Sequence, residues 1–354
     1  MKYILNEQNV KLLGRTMLVG ENLWMAWSAT GVEFEFEGKE LEVTVLGGNA
    51  ATDYSVDNCF AKIGIYVDDV RVTTDLVRQS RKKYEIINGD VVRRVKVRVM
   101  KLSEAPMSTI GMEPIVTEGK ILPVERCAHS VEFIGDSITC GYGVDDMDLR
   151  HTFSTATEDV TRGYAYLTAK ELGMDVNIVS CSGYGVLSGY TDDPQVQNTA
   201  ELLPPYYETL GFSRDFFEGG LSPQDVQWDF SGYQPELVVL NLGTNDNSFC
   251  QEIQQRWDLF TERYVAFLQT IRKNNPKAMI LCVYGVMEDR IAPTVEKAVE
   301  IYREQCGDER ITYLYIAPDD GTRGYAVDFH PAPATHALAS EVVVEKIKKL
   351  IKFE

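Results

Sequence analysis

The first third of the chain alternates between apolar and polar positions. Val32, Phe34 and Phe36 are separated by Glu33, Glu35 and Glu37, and after Gly38-Lys39 the alternation resumes with Leu41, Val43 and Val45. A period of two puts the apolar members on one face of a strand, and the short Gly-containing break predicts a turn between antiparallel neighbours. The device recurs. Ile63, Ile65 and Val67 run to Asp68-Asp69 and on to Val70 and Val72; after Asn88-Gly89-Asp90, Val95, Val97 and Val99 interleave with Arg94, Lys96 and Arg98. At least six short strands with no helical period predict a β-sandwich. Pro106 to Pro123, with Gly111, Pro114 and Gly119, reads as a linker.

From about residue 127 the period changes. Short apolar runs predict strands at 131–134, 176–179, 237–240, 279–283 and 311–316, and helical spacing predicts helices over 164–172, 257–271, 295–303 and 334–351. Strands separated by helices imply βαβ units and a doubly wound parallel sheet, whose ligands sit at the carboxyl ends of the strands. The chain is therefore expected to comprise a β-sandwich over residues 1–125 and an α/β domain over 126–354. The aperiodic segment from Gly189 to Gln227, rich in Pro, Tyr and Asp, reads as a functional rim. No internal repeat is visible.

Length and composition agree with two globular domains: 354 residues, 44% hydrophobic and 25% charged. The formal net charge of −18, with no basic cluster, excludes nucleic acid as the main partner. No run approaches the ~20 apolar residues of a membrane span, and the start, Met1-Lys2-Tyr3-Ile4-Leu5-Asn6-Glu7, lacks the pattern of a signal peptide. Seven scattered cysteines without a C-x-x-C pair argue against zinc and against a disulfide framework. A cytoplasmic location is the expectation; the oligomeric state, a homo-oligomer included, is left open.

The chemistry gathers at the ends of the predicted strands. The strand at 131–134 runs into Gly135-Asp136-Ser137-Ile138-Thr139-Cys140-Gly141-Tyr142-Gly143. A serine there sits where a nucleophile belongs, at the carboxyl edge of the sheet, although a serine at a helix start can equally be an N-cap. Of four histidines, His129 lies at the wrong end of the sheet and His336 falls inside the last helix. His151, on a loop, is the weaker alternative to His330, which lies between the last strand and the last helix in Asp328-Phe329-His330-Pro331. Acyl transfer also needs donors aimed at an oxyanion. Asn245, in Gly243-Thr244-Asn245-Asp246, offers an amide or caps a turn. Ser182-Gly183-Tyr184-Gly185 lets a backbone N–H approach a ligand, or is an ordinary βα turn.

Taken in order, Gly-Asp-Ser, then Gly, then Gly-Thr-Asn-Asp, then Asp-x-His-Pro, each after a strand, resemble the SGNH (GDSL-type) hydrolase superfamily. Trp27-Ser28-Ala29-Thr30-Gly31-Val32-Glu33-Phe34 and the run Tyr233-Gln234-Pro235-Glu236-Leu237 are similar to carbohydrate esterase family 2, in which a jelly roll precedes the catalytic domain. That resemblance implies Ser137 as nucleophile, His330 as general base, and an oxyanion hole from Asn245 and the N–H groups of Gly183 and Ser137. Most of the superfamily place an acid three residues before the histidine, where this chain has Val327. Asp328 would be the orienting acid, with a backbone carbonyl as the alternative in members that lack one; the expectation taken here is that removing Asp328 slows turnover strongly.

The resemblance further implies removal of acetyl groups from xylan or mannan, as oligosaccharide or polysaccharide, without metal or organic cofactor. Tyr142, Tyr184, Trp228 and Phe249 lie near the motifs and either stack on a sugar ring or are core. Two other readings stand beside this one: a lipase or thioesterase on the same fold, and a carbohydrate-binding protein with a decayed site.

Overall fold

The computed structural model describes residues 1–52 and 59–353, and its contacts divide the chain into two units. The first holds Met1–Cys127 with two later segments, Ser154–Glu158 and Glu208–Trp228; the second holds Ala128–Phe153, Asp159–Tyr207 and Asp229–Glu354.

The first unit is built on an antiparallel sheet. Its two longest strands, Gly31–Gly47 and Arg81–Lys101, pair from Gly31↔Met100 to Leu46↔Arg81. Lys62–Val67 and Val70–Leu76 form the expected hairpin. It turns through Asp68 and Asp69, with φ of 49° and 65°, the two left-handed residues that a tight hairpin turn demands. The other expected turns are not reversals: Gly38-Lys39 and Asn88-Gly89-Asp90 lie inside the long strands, where the register shifts between Gly38 and Glu40. Apolar positions change there from even numbers (32, 34, 36) to odd (41, 43, 45), all buried. A bulge returns them to one face without reversing the chain.

Residues 106–123 are not a linker. Ile110–Met112, Ile115–Val116 and Lys120–Pro123 are strands paired within this unit, and Ile110, Met112, Ile115 and Ile121 join its apolar core. The prolines that suggested a linker sit at strand breaks and ends, where a missing N–H costs no ladder bond.

Nor is the whole of 189–227 a rim. Glu208–Trp228 is stitched into the first unit: the Trp27 indole donates to the Leu210 carbonyl at 3.0 Å and buried Arg15 donates to that of Thr209 at 2.7 Å. The Asp215 carboxylate accepts from Asn49 N at 2.7 Å, Thr109 N at 3.0 Å and Thr109 Oγ1 at 3.2 Å.

The second unit has the expected parallel sheet, in the order Asp175–Ser180, Ser130–Gly135, Leu237–Asn241, Met279–Gly285, Ile311–Ile316. The helices Tyr164–Glu171, Gln254–Asn274, Ala292–Cys306 and Pro333–Leu350 follow Ser130–Gly135, Leu237–Asn241, Met279–Gly285 and Ile311–Ile316, while a long connection with only short helical turns links Asp175–Ser180 to Leu237–Asn241. From Ser130–Gly135 the chain winds first to one side and then to the other. The switch in direction lies beside Leu237–Asn241, and sheets of this kind open a crevice at that point. Among the described residues no helix is long and apolar enough to cross a membrane.

Asp215→Ala leaves the buried Thr109 N–H without an acceptor, a cost of about 1–3 kcal/mol. Its urea midpoint is expected to fall with the m-value unchanged; an unmoved midpoint would show that Glu208–Trp228 is held without this carboxylate.

Candidate functional site

Four loops leave the carboxyl ends of the parallel strands and carry the motifs. The first follows Ser130–Gly135. A Cβ on Gly135 would come within 2.1 Å of Thr139 Oγ1, so only glycine lets the chain fold tightly into the helix Ser137–Cys140. Asp136, not Ser137, is the N-cap: its carboxylate accepts from Ile138 N at 3.1 Å. Ser137 is thus released from the capping role. Its residue is 5% exposed, and its hydroxyl makes no hydrogen bond among the described residues.

The second and third loops lock together. Asn245 Nδ2 donates to the Tyr184 carbonyl at 2.9 Å and lies 3.4 Å from Asp136 Oδ2. An amide has two hydrogens, and a contact of 3.4 Å is beyond good hydrogen-bond length, so the second hydrogen can serve a ligand. The next residue, Asp246, points its carboxylate at Val186 N, Leu187 N and Ser188 N, at 3.0, 2.6 and 2.9 Å. Neighbouring side chains of one helix therefore hold the loop through Gly183 from two sides. Gly183 has φ of 82°, and its N–H, like that of Ser137 at the first helical position, donates to no backbone carbonyl among the described residues.

Burial dominates the electrostatics here. It pushes the Asp136 carboxyl up to about 7, with the nearby Asp246 charge adding to the rise, and Asp246 itself up to about 6 against the pull of its three N–H donors.

The fourth loop presents His330. Asp328 and Phe329 are both left-handed, with φ of 53° and 60°, a conformation that costs non-glycine residues of order 1–3 kcal/mol each. The backbone then turns extended at His330 (φ −70°, ψ 163°) ahead of Pro331. This double turn brings the Val327 carbonyl to His330 Nδ1 at 3.2 Å. A carbonyl only accepts, so Nδ1 carries the proton and Nε2 is left as the base. Burial lowers the imidazole to about 4, against the raising effect of the Val327 carbonyl and the Asp328 charge.

The Asp328 side chain makes no hydrogen bond to His330 among the described residues: its carboxylate accepts from the Tyr142 hydroxyl at 2.7 Å, and the group that meets Nδ1 is the Val327 carbonyl, which is the arrangement of the carbonyl alternative. Tyr142 links the first and fourth loops: its N–H donates to the Ser137 carbonyl at 3.2 Å, and its ring stacks on His330 with centroids 4.0 Å apart. For the four aromatics left open between sugar stacking and core, the structure shows the following surroundings. Tyr142 is covered on its other face by Phe153, at 4.7 Å. Tyr184 and Phe249 are 3% and 9% exposed, with the Arg256 guanidinium 4.1 Å from the Phe249 ring centroid. Trp228 belongs to the first unit, where Arg15 lies over it. Aromatics that do face solvent beside these loops include Phe329 (64% exposed), next to His330, and Tyr190 (54%), whose N–H donates to the Gly183 carbonyl at 2.8 Å. Tyr190 lies in the segment that reads as a functional rim, though nothing there singles it out; Phe329 carries no such signal, because a backbone strained enough to turn it outward is not written in residue type. Asp246 lay inside a recognised motif, but its grip on residues 186–188 required the fold.

Of the remaining histidines, His336 is buried, accepts from Tyr164 N at 3.2 Å and is lowered to about 3 by burial. His151 pairs with Asp146 at 2.8 Å on an exposed loop.

Residues 133–338, over half of the chain, match the GDSL-like lipase/acylhydrolase family, and residues 12–124 match the carbohydrate esterase 2 N-terminal family. The chain is 30% identical over 337 residues to the cellulase/esterase CelE of Acetivibrio thermocellus; the match covers 91% of this chain and 37% of that protein, so the chain spans little more than a third of this relative. It is 24% identical to an acetylxylan esterase / glucomannan deacetylase of Cellvibrio japonicus, covering 98% of this chain and 90% of the other. A family two carbohydrate esterase from Clostridium thermocellum, solved in complex with cellohexaose, superposes with a TM-score of 0.81 at 27% identity, covering 96% and 98% of the two chains.

A reaction that uses this imidazole as its base is expected to lose activity in acid with an apparent pKa of about 4 rather than the ordinary 6.5. The measurement is kcat/KM for p-nitrophenyl acetate against pH; an acid limb near 6.5 would mean that the ring is solvated or paired otherwise.

Proposed function

We propose that this chain, which belongs to the GDSL-like lipase/acylhydrolase family and carries the carbohydrate esterase 2 N-terminal domain ahead of it, is a carbohydrate O-acetyl esterase acting on acetylated xylan, mannan or glucomannan. The observation that carries the reading is the His330 imidazole: its Nδ1 is tied to the Val327 carbonyl, its Nε2 is bare, and its ring stands one stack from the turn that bears Ser137.

In this mechanism Nε2 takes the proton of Ser137 as Oγ attacks the acetyl carbonyl. The carbonyl electron pair moves onto oxygen, where the N–H groups of Ser137 and Gly183 and the second amide hydrogen of Asn245 receive it. In holes of this kind loss of one donor costs roughly 10²–10³ in rate. As the tetrahedral intermediate collapses, the proton passes from His330 to the departing sugar oxygen. Water, activated by the same nitrogen, then releases acetate from Ser137. The exposed rings of Phe329 and Tyr190 give a sugar an apolar face to lie against, which favours recognition through the alcohol side of the ester.

Ser137→Ala is expected to abolish acetate release from acetylated xylo- or manno-oligosaccharides. His330→Ala should be nearly as damaging, and the double variant little worse, because the two act as a unit. Acetate release by Ser137→Ala at more than a trace would refute the nucleophile.

Wild-type enzyme should prefer p-nitrophenyl acetate to p-nitrophenyl octanoate by a wide margin in kcat/KM. Equal rates on the two would turn the assignment toward a lipase, and no hydrolysis of any acetyl ester would turn it toward a binding protein.

A further inference from the structure

The imidazole of His330 is supported in its plane by the Val327 carbonyl and across its face by Tyr142. The two rings lie 4.0 Å apart between centroids and only 26° from parallel. Behind Tyr142, Phe153 stacks at 4.7 Å and 22°, so the phenol is clamped between two rings and cannot tip away. Its hydroxyl is anchored as well, donating to Asp328 Oδ2 at 2.7 Å. Asp328 is placed for that contact by its left-handed backbone (φ 53°, ψ 35°), and nothing else in the described structure hydrogen-bonds its side chain.

We propose that Tyr142 and Asp328 form one positioning unit that does the work of a third triad member from the face of the imidazole rather than its edge. The proposal rests on the esterase reading above. When Ser137 gives its proton to Nε2, the His330 ring becomes a cation in a site where burial disfavours charge. An aromatic face within about 6 Å of a cation attracts it. A phenol whose hydroxyl donates to a carboxylate carries extra electron density into its ring, which strengthens that attraction. The Asp328 charge therefore reaches the imidazolium through Tyr142, and the Phe153–Tyr142–His330 stack keeps Nε2 aimed while the proton moves. Among the described residues the titratable groups around the ring and its partner are Asp328 on its own turn, Tyr142 from the Ser137 turn, Tyr190, which feels the Asp328 charge, and His336 from the last helix, which burial keeps uncharged.

Two isosteric substitutions test this in the full chain. Tyr142→Phe keeps the stack and removes the bond to Asp328; Asp328→Asn keeps the shape and removes the charge. Each is expected to lower kcat on p-nitrophenyl acetate about tenfold, the worth of one modest hydrogen bond, with KM within about twofold and thermal unfolding unchanged. The Tyr142→Phe/Asp328→Asn double variant should lose no more than either single one, because both cut the same link. Asp328→Asn should also move the acid limb of kcat/KM to lower pH, as a merely structural residue would not. Losses that multiply in the double variant would show Asp328 acting on His330 without Tyr142, and single variants at wild-type kcat would show that the face contact contributes nothing; either overturns the proposal. Ser137→Ala run in parallel separates the two readings: if it stays active, the esterase mechanism itself has failed, whereas if it is silent the outcomes above judge the positioning unit alone.

Discussion

The site depends on one constraint: a half-buried imidazole has to be held in a single tautomer with its outer nitrogen bare. The chain meets it with backbone. Two successive left-handed residues, Asp328 and Phe329, curl the segment until the Val327 carbonyl meets both the backbone N–H and the ring Nδ1 of His330. The strain of placing Asp and Phe in that region is of order a few kcal/mol, and strain of this size persists only where the surroundings over-determine it. Here the Val327 N–H donates to the Asp146 carbonyl, and the His330 carbonyl accepts from Ala326 N. The same curl turns Phe329 out to solvent and carries the Asp328 carboxylate to Tyr142, so orientation of the base, the exposed ring beside it and the stacked support all follow from two φ angles.

The acceptor side of the site is built on a different principle. Asn245 and Asp246 are consecutive on one short helix, yet they grip the Gly183 loop at the Tyr184 carbonyl and at three successive N–H groups. A carboxylate buried against N–H groups holds backbone more firmly than an amide would, and burial in this crowded corner raises both Asp246 and Asp136 toward neutrality. A free, aimed N–H at Gly183 is thus the product of a loop that has spent its other donors on fixed acceptors.

What was legible in the sequence follows from the range of the interactions concerned. The parallel sheet was readable because runs such as Leu237–Asn241 are apolar throughout and spaced by helical stretches. Its motif loops were readable because glycine and proline mark tight geometry. The first unit is readable as β, but Gly38 and Asn88-Gly89 carry the residue types of turns. A bulge and a hairpin use the same residues, and only the even-to-odd change of apolar positions tells them apart. Pro106 to Pro123 reads as a linker for the same kind of reason, because its Pro and Gly punctuation masks the strand-forming Ile110, Ile115 and Ile121. The membership of Glu208–Trp228 in the first unit was invisible, since Trp27, Arg15 and Thr109 lie about a hundred or more residues from their partners. The choice between sugar platform and core was open for the converse reason: proximity in sequence to a motif says nothing of which ring faces are covered, and the structure covers both faces of Tyr142 while exposing Phe329.

The central claim is that a carbonyl, rather than a carboxylate, fixes the base. Nitrogen NMR of the His330 ring tests it most directly, in wild type and in Asp328→Asn at neutral pH. The account predicts a neutral ring protonated at Nδ1 and bare at Nε2 in both proteins, because the Val327 carbonyl is untouched by the substitution. Loss of the Nδ1–H tautomer in Asp328→Asn, or a wild-type ring protonated at Nε2, would contradict it.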